Sequence, residues 1–472
     1  MKRSLLVPTL ASLCVVGACS SSGTPVSVTS DAGGTEGGGG GDGGGQGGDA
    51  AIVSKCAPVS GEGTTHNKDI FADETWGPGL HVVTFTISIS KKATLTLAPC
   101  AVVRFTKDTG MFVGGASEGE DGVLVAEGKA DEPIVIEGAT PDKWKDIQVY
   151  PKGQARLRFV TLRGGGGSTS RNGATLHLYG DANKPAQALA KVESVTIEDS
   201  GKYGLFMETR GALSADSTGL TIRGSGDMPM RVSGATVSSV PPGNYTGNKN
   251  DTIRLAASAG YDVVADDQTI HDRGVPYFIG GDGALNELTI QGPTTPVLTI
   301  EAGVTLRFPK STGSSGVWID RSTSDVPAKG VLKVLGTAQK PVVFTSAEAS
   351  PAAGDWIGLV FGGIPSANDK VEFARIDFAG GDTGIRNFSC GTPGSDDVPS
   401  NEAGIILLGK PVGQFVTNTT IANSAKNGIE RGWFGDSIDF LPTNKFENIA
   451  FCTQTLNRPQ VGICPDPPPC PK

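Results

Sequence analysis

The residues able to do chemistry are few and scattered. Histidine occurs four times, at His66, His81, His177 and His271. None of these stands at a two-histidine metal spacing such as i, i+4, so the spacing predicts no metal site and no cofactor. No strand-to-helix elbow is legible around a serine to present it as a nucleophile. No Walker-type or Gly-x-Gly-x-x-Gly loop opens a helix. Glycoside hydrolysis needs two carboxyl groups about 5–10 Å apart across the scissile bond. The pairs that could supply them are Asp266–Asp267, Asp396–Asp397, and Asp436 with Asp439. The first two sit among turn residues, where aspartate caps backbone donors. Read as a strand, Asp436-Ser437-Ile438-Asp439 points its two carboxylates to opposite faces. Asp396, Asp397, Asp436 and Asp439 are the catalytic candidates, with surface or turn aspartate as the simpler account of each. Arg104 and Arg307 stand beside Phe105 and Phe308 at matching places and read as solvent-face partners. Trp144 and Trp356 read as core caps or groove aromatics.

Cysteine tells of a compartment. The N-terminus reads MKRSLLVPTLASLCVVGACSSSG: Lys2 and Arg3, an apolar stretch from Leu5 to Val16, then small residues before Cys19. That stretch is too short to span a bilayer and has the layout of a secretory signal. The string Val16-Gly17-Ala18-Cys19 resembles the lipobox of bacterial lipoproteins. The resemblance implies a signal peptide over 1–18, lipid on Cys19 as the first mature residue, and, with Ser20 next, sorting to the outer membrane. Cleavage removes two of 40 basic residues, leaving 38 against 49 acidic ones and a charge of −11. Acyl chains, not charge, would hold such a body to a membrane. An acidic chain also argues against a nucleic-acid partner. Excluding Cys14 and Cys19, six cysteines are left, Cys56, Cys100, Cys390, Cys452, Cys464 and Cys470. An even number in an oxidising compartment predicts disulfides near the two ends of the folded region. Cys56 with Cys100 is the expected pair, and the pairing of the rest stays open.

These groups must be positioned by the elements around them. Of 472 residues, 68 are Gly; aromatics make up 6% and charged residues 19%. That composition excludes a coiled coil or helical bundle, and 38% hydrophobic content excludes a disordered chain. Residues 19–53 are the exception. From Asp31 to Ala50, 12 of 20 residues are Gly, a random-coil tether reaching about 30–35 Å. Beyond it, runs of three to six residues rich in Val, Ile and Thr recur between Gly, Pro, Asp and Asn. Examples are Thr84–Ile89, Thr94–Leu97, Val102–Phe105, Val123–Ala126, Ile134–Ile136 and Ile147–Val149. Helical spacing is almost absent; Ala186–Val192 is the best case.

The chain also repeats itself. Leu95-Thr96-Leu97-Ala98-Pro99-Cys100-Ala101-Val102-Val103-Arg104-Phe105 recurs as Leu298-Thr299-Ile300-Glu301-Ala302-Gly303-Val304-Thr305-Leu306-Arg307-Phe308. Gly122-Val123-Leu124 matches Gly330-Val331-Leu332, Trp144 matches Trp356, and Asp73 and Thr75 align with Asp267 and Thr269. Order is kept while the offset grows, which is a tandem duplication with insertions in loops. The expected halves are 54–255 and 256–472, the second ending in a Cys- and Pro-rich cap. Many short strands with no hairpin signal predict an all-β, parallel β-helix solenoid, in which Leu95, Leu97, Val103 and Phe105 fill a continuous core.

The two strings, each followed by a Gly-x-Leu run, a PIVIEG or PVVFTS run and a Trp, resemble the bacterial right-handed parallel β-helix lipoproteins. That family carries over no catalytic residues. The expected function is a surface-anchored, non-enzymatic binding or structural protein of the envelope, with a glycan or a surface protein as partner. The alternative, a polysaccharide lyase or glycoside hydrolase, rests on fold analogy. The second half has a long insertion, Gly380–Gly404, carrying Arg386, Asn387, Phe388, Cys390, Asp396 and Asp397. Long loops on rigid solenoids often bind, so Arg386, Asn387 and Phe388 are the expected binding residues.

Overall fold

The computed structural model describes residues 53–167, 173–257, 262–280, 286–310, 315–322, 326–385, 402–457 and 470. The expected alternation appears directly as burial. Ala93–Leu97 and Ala101–Phe105 both bury every second side chain, because a strand turns successive residues to opposite faces. Every pairing between strands is parallel. Parallel neighbours cannot be joined by a hairpin, so the chain winds. Crossovers of this kind are right-handed, and the fold is a right-handed parallel β-helix.

In the first half each coil contributes to three faces. The first face contains Glu74–Trp76, Ala93–Leu97, Gly122–Glu127 and the opening parts of Gly153–Arg163 and Gln187–Glu198. The second contains Gly79–Val83, Ala101–Phe105, Ile134–Gly138, the later parts of the same two long strands, and Thr218–Arg223. The third runs from Ile87–Ile89 through Met111–Val113, Ile147–Val149, Ala174–Tyr179 and Tyr203–Glu208 to Met230–Ser233 and Ile253–Ala256. The long strands serve two faces by bending at Phe159 and Ser194, whose φ values are 47° and 52°. The left-handed conformation costs a non-glycine residue about 1–2 kcal/mol, and the ladders on both sides hold it in place. Ala186–Val192, the one helix-like stretch, lies largely within the strand Gln187–Glu198. Parallel pairing on both sides there overrides a weak local preference.

Inward side chains stack in register: Leu95, Leu124, Ala155 and Ala190 form one file. Leu95, Leu97, Val103 and Phe105 are buried as expected, and a single apolar cluster runs from Ile70 to Phe440. Each fully buried Leu or Ile stabilises by about 1.5–3 kcal/mol.

The matched segments do the same local jobs but lie in different sheets. Among the described residues there are sheets of twelve, thirteen, five and five strands. Ala101–Phe105 belongs to the twelve-stranded sheet, whereas its counterpart Thr305–Phe308 belongs to the thirteen-stranded one. The third face of the first half therefore continues into strands that match the second face, so the two copies stack one face out of phase. The expected boundary at 255/256 falls inside the strand Ile253–Ala256, which pairs with Met230–Ser233 on one side and Tyr277–Ile279 on the other. Among the described residues two disulfides lie towards the ends, Cys56–Cys100 and Cys452–Cys470, each with Cα atoms 5.2 Å apart.

Candidate functional site

The outer surfaces of the faces differ in how their charges are used. On the second face, Arg104, Glu137, Arg163, Glu198 and Arg223 occupy successive strands in register. They pair in sequence: Arg104 Nε to Glu137 at 2.9 Å, Arg163 to Glu137 at 3.2 Å and to Glu198 at 2.6 Å, and Arg223 to Glu198 at 2.6 Å. Burial alone would raise the Glu198 carboxyl, but hydrogen bonds from Arg163 and Arg223 outweigh it and hold the group below its ordinary value. This ladder satisfies itself, and Arg104 is a structural partner within it. Arg307 has no such ladder: it is exposed, in register with Phe278 and Thr345. Trp144 and Trp356 are fully buried, stacked on Phe105 at 4.9 Å and Phe308 at 4.3 Å. They are core residues and present no platform to a sugar.

The first face is different. Gly122–Glu127, Gly153–Arg163 and Gln187–Glu198 lie side by side and floor a lateral groove. Because alternate residues point outward, Gln154, Arg156 and Arg158 line one strand's exterior. Lys191 stands opposite Arg156, and Glu127 and Glu193 flank Arg158. One concavity of about 400 Å³ is lined by Glu127, Arg156, Arg158, Lys191 and Glu193. A second, of about 380 Å³ and formed along the same three strands, is lined by Val123, Lys152, Gln154, Gln187 and Leu189. Arg158 is held by Glu193 at 3.0 Å, and Lys191 by Asp216 at 2.5 Å. The hydrogen bond and charge of Asp216 push the Lys191 ammonium up, so it stays protonated. Arg156 is exposed and makes no ion pair or hydrogen bond among the described residues. The groove thus offers one free guanidinium, a fork of donors suited to carboxylate, between cations already fixed by carboxylates.

A concavity of about 310 Å³ near the C-terminal end has Asp369 in its wall. That carboxylate accepts the backbone N–H groups of Leu332 and Ser366, each at 2.7 Å; burial pushes it up to about 7. Its work is structural. A pocket of about 530 Å³ includes Arg321, which is already paired with Glu287.

The sequence candidates fare unevenly. Arg386, Asn387, Phe388, Cys390, Asp396, Asp397, Cys464 and Cys19 lie outside the described residues. Asp436 is exposed and bridges to Lys410 at 3.2 Å. Asp439 accepts from Leu441 N at 3.0 Å and Gln454 at 2.8 Å. The segment holding them is a bend followed by irregular chain rather than a strand, with Gly435, at φ 98°, redirecting the backbone. Asp267 accepts the Val297 N–H at 2.8 Å, just as Asp73 accepts that of Thr94 at 2.9 Å. Asp266 meets Arg210 at 3.4 Å. Among the described residues no three His, Cys, Asp or Glu side chains come together as a metal site. Sequence spacing missed Arg156, Arg158 and Lys191 because the register of two strands distant in sequence brings them together. The signal was the outward alternation of basic residues in Gln154-Ala155-Arg156-Leu157-Arg158.

Residues 285–389 match the family model described as a pectate-lyase like beta helix domain. The chain is a parallel β-helix repeat protein. The match falls within the second half, whereas the groove at Arg156 lies in the first. No curated protein and no solved structure matches the chain.

Proposed function

We propose that this β-helix protein is held at the outer membrane by lipid on Cys19 and binds an acidic polysaccharide along the groove around Arg156, without cleaving it. The observation that carries this reading is the free, exposed Arg156 guanidinium in one of two concavities that lie along three parallel strands. Repeating carboxylates of a uronate chain would find Arg156 first, with Gln154 and Gln187 available for hydroxyl groups. Lys191 is a poor base while Asp216 holds it protonated, which favours retention over proton abstraction. The tether of 19–53 would carry the groove clear of the bilayer.

Catalysis is the second reading. It is favoured by the pectate-lyase like family model and by Glu127 and Glu193 flanking the cations. One experiment separates the two. The purified soluble body is incubated with a panel of acidic and neutral polysaccharides, and both retention and new reducing or unsaturated ends are scored. Retention of acidic chains that falls about tenfold in Arg156→Ala, with no new ends, is expected; one tenfold step is about 1.4 kcal/mol. New chain ends would replace binding with catalysis, and retention unchanged in Arg156→Ala would remove this groove from the account. The anchor is checked separately, by labelled fatty acid incorporated into the wild type and lost in Cys19→Ala.

A further inference from the structure

His66 and His81 are 15 residues apart in the sequence, yet their rings meet at the first coil. His66 ends the strand Thr64–His66 and His81 is central in Gly79–Val83; the two strands pair in parallel. The Nε2 atom of His66 lies 3.0 Å from Nδ1 of His81. The far nitrogen of each ring faces an oxygen. His81 Nε2 is 2.8 Å from the Gly77 carbonyl, and His66 Nδ1 is 3.7 Å from the Glu74 carboxylate. A carbonyl only accepts, so the His81 proton is assigned to Nε2 and the lone pair to Nδ1, facing His66. Glu74 is itself fixed by the indole N–H of Trp76, which donates to it at 2.8 Å. Trp76 also stacks against both imidazoles, at 3.7 and 5.4 Å.

In metal-bound imidazoles the ring nitrogen away from the ion donates to a carboxylate or a backbone carbonyl; His81 already does so to Gly77, and Glu74 stands 3.7 Å from His66 Nδ1 as the acceptor nearest that nitrogen. Two nitrogens 3.0 Å apart, each bonded to one ion at about 2.1 Å, subtend about 90° at it. That is the cis angle of a tetragonal or octahedral ion and is too narrow for a tetrahedral one. Imidazole ligands in tetragonal geometry suit Cu²⁺ and Ni²⁺, with Cu²⁺ the tighter.

We propose that His66 and His81 form a two-imidazole chelate for a divalent transition-metal ion of tetragonal preference, Cu²⁺ ahead of Ni²⁺ and Zn²⁺. Water completes the coordination; the His66 side chain is 14% exposed, so water reaches the ion. When the ion enters beside neutral imidazoles, the His66 proton moves from Nε2 to Nδ1 and turns towards Glu74. No proton is released and no redox change occurs. Glu74 is a positioning residue: it orients His66 and does not touch the metal.

The test uses the untagged full chain, titrated calorimetrically with Cu²⁺, Ni²⁺ and Zn²⁺ chlorides, with electron paramagnetic resonance on the Cu²⁺ form. Expected are a Cu²⁺ site whose spectrum shows two imidazole nitrogens, loss of that signature in His66→Ala, and affinity about 10–100-fold weaker in Glu74→Gln. Thermal midpoints of the metal-free variants, close to that of the wild type, separate loss of the site from loss of fold. Zn²⁺ binding tighter than Cu²⁺, a Cu²⁺ site unchanged in His66→Ala, or no two-nitrogen signature in the wild type would each overturn the assignment.

Discussion

Trp144 and Trp356 perform one task twice. Each is fully buried, each stacks on the phenylalanine that ends a matched strand, and each donates its indole N–H to a strand-end carbonyl 2.8 Å away, of Arg163 and Asp377 respectively. A buried tryptophan normally finds such an acceptor, and the stacked pair adds about 0.5–1.5 kcal/mol beyond its area. Trp356→Ala should therefore cost about 3–5 kcal/mol, through the cavity and the carbonyl left unpaired. Arg307→Ala, on the exposed side of the neighbouring strand, should stay within about 0.5 kcal/mol. Denaturant titration of both variants checks this, and equal costs would mean that the stack does not hold the second half together. Arg156 illustrates the opposite use of a residue. It contributes nothing visible to the fold, which is why it stands out beside Arg158 and Lys191, both of them paired with carboxylates.

At the scale of the element, an aspartate just before one strand recurrently accepts an N–H from the first two residues of the strand beside it, on the first face or its counterpart: Asp73 for Thr94, Asp267 for Val297 and Asp369 for Leu332. Asp369 differs from the other two in being fully enclosed. Two backbone donors favour its ionised form, but burial outweighs them and pushes it up to about 7. The folded state therefore holds a proton here that the unfolded chain releases near pH 4. The stability from this group is fully present below about pH 4 and is lost as pH rises through about 7, by at most about 4 kcal/mol. In Asp369→Asn that slope should disappear, at a constant cost of about 1–3 kcal/mol because an amide cannot accept both N–H groups. Melting curves from pH 4 to 8 decide it; parallel profiles for wild type and variant would refute the assignment. Strands such as Ala93–Leu97 and Ala101–Phe105 were legible in the sequence because only one face of each is buried, which imposes the two-residue alternation; Ser315–Ile319 and Ala403–Leu407 are buried on both faces and carry no such signal. The corners at Phe159 and Ser194 were not, since neither residue advertises a left-handed conformation. Nor was the bend around Asp436 and Asp439, where Gly435 decides the direction and an apolar neighbour such as Ile438 suggests a strand. The groove was half legible: Arg156 and Arg158 alternate visibly, but their meeting with Lys191 depends on a register between coils that no local pattern carries.

At the scale of the whole β-helix, the duplicated strings announced two copies, but not how they join. Each coil contacts only its neighbours, so local periodicity contains nothing about the phase between halves. The join is made by Ile253–Ala256, which hydrogen-bonds to Met230–Ser233 before it and to Tyr277–Ile279 after it, with Ile253 and Leu255 in the common core. Cutting there would strip one neighbour from that strand and open the file of aliphatic side chains at its end. A bare strand edge over an open core is a template for another chain, and a solenoid needs a capping repeat to stay soluble. A chain ending at residue 255 should therefore form concentration-dependent oligomers in light scattering and unfold at lower denaturant than the intact protein. A terminus at residue 457 should leave the Ile253–Ala256 join intact and serves as the comparison. If the shorter chain proved monomeric and as stable as the longer one, the halves would be independent units that happen to abut, and the thirteen-stranded sheet would carry no coupling between them.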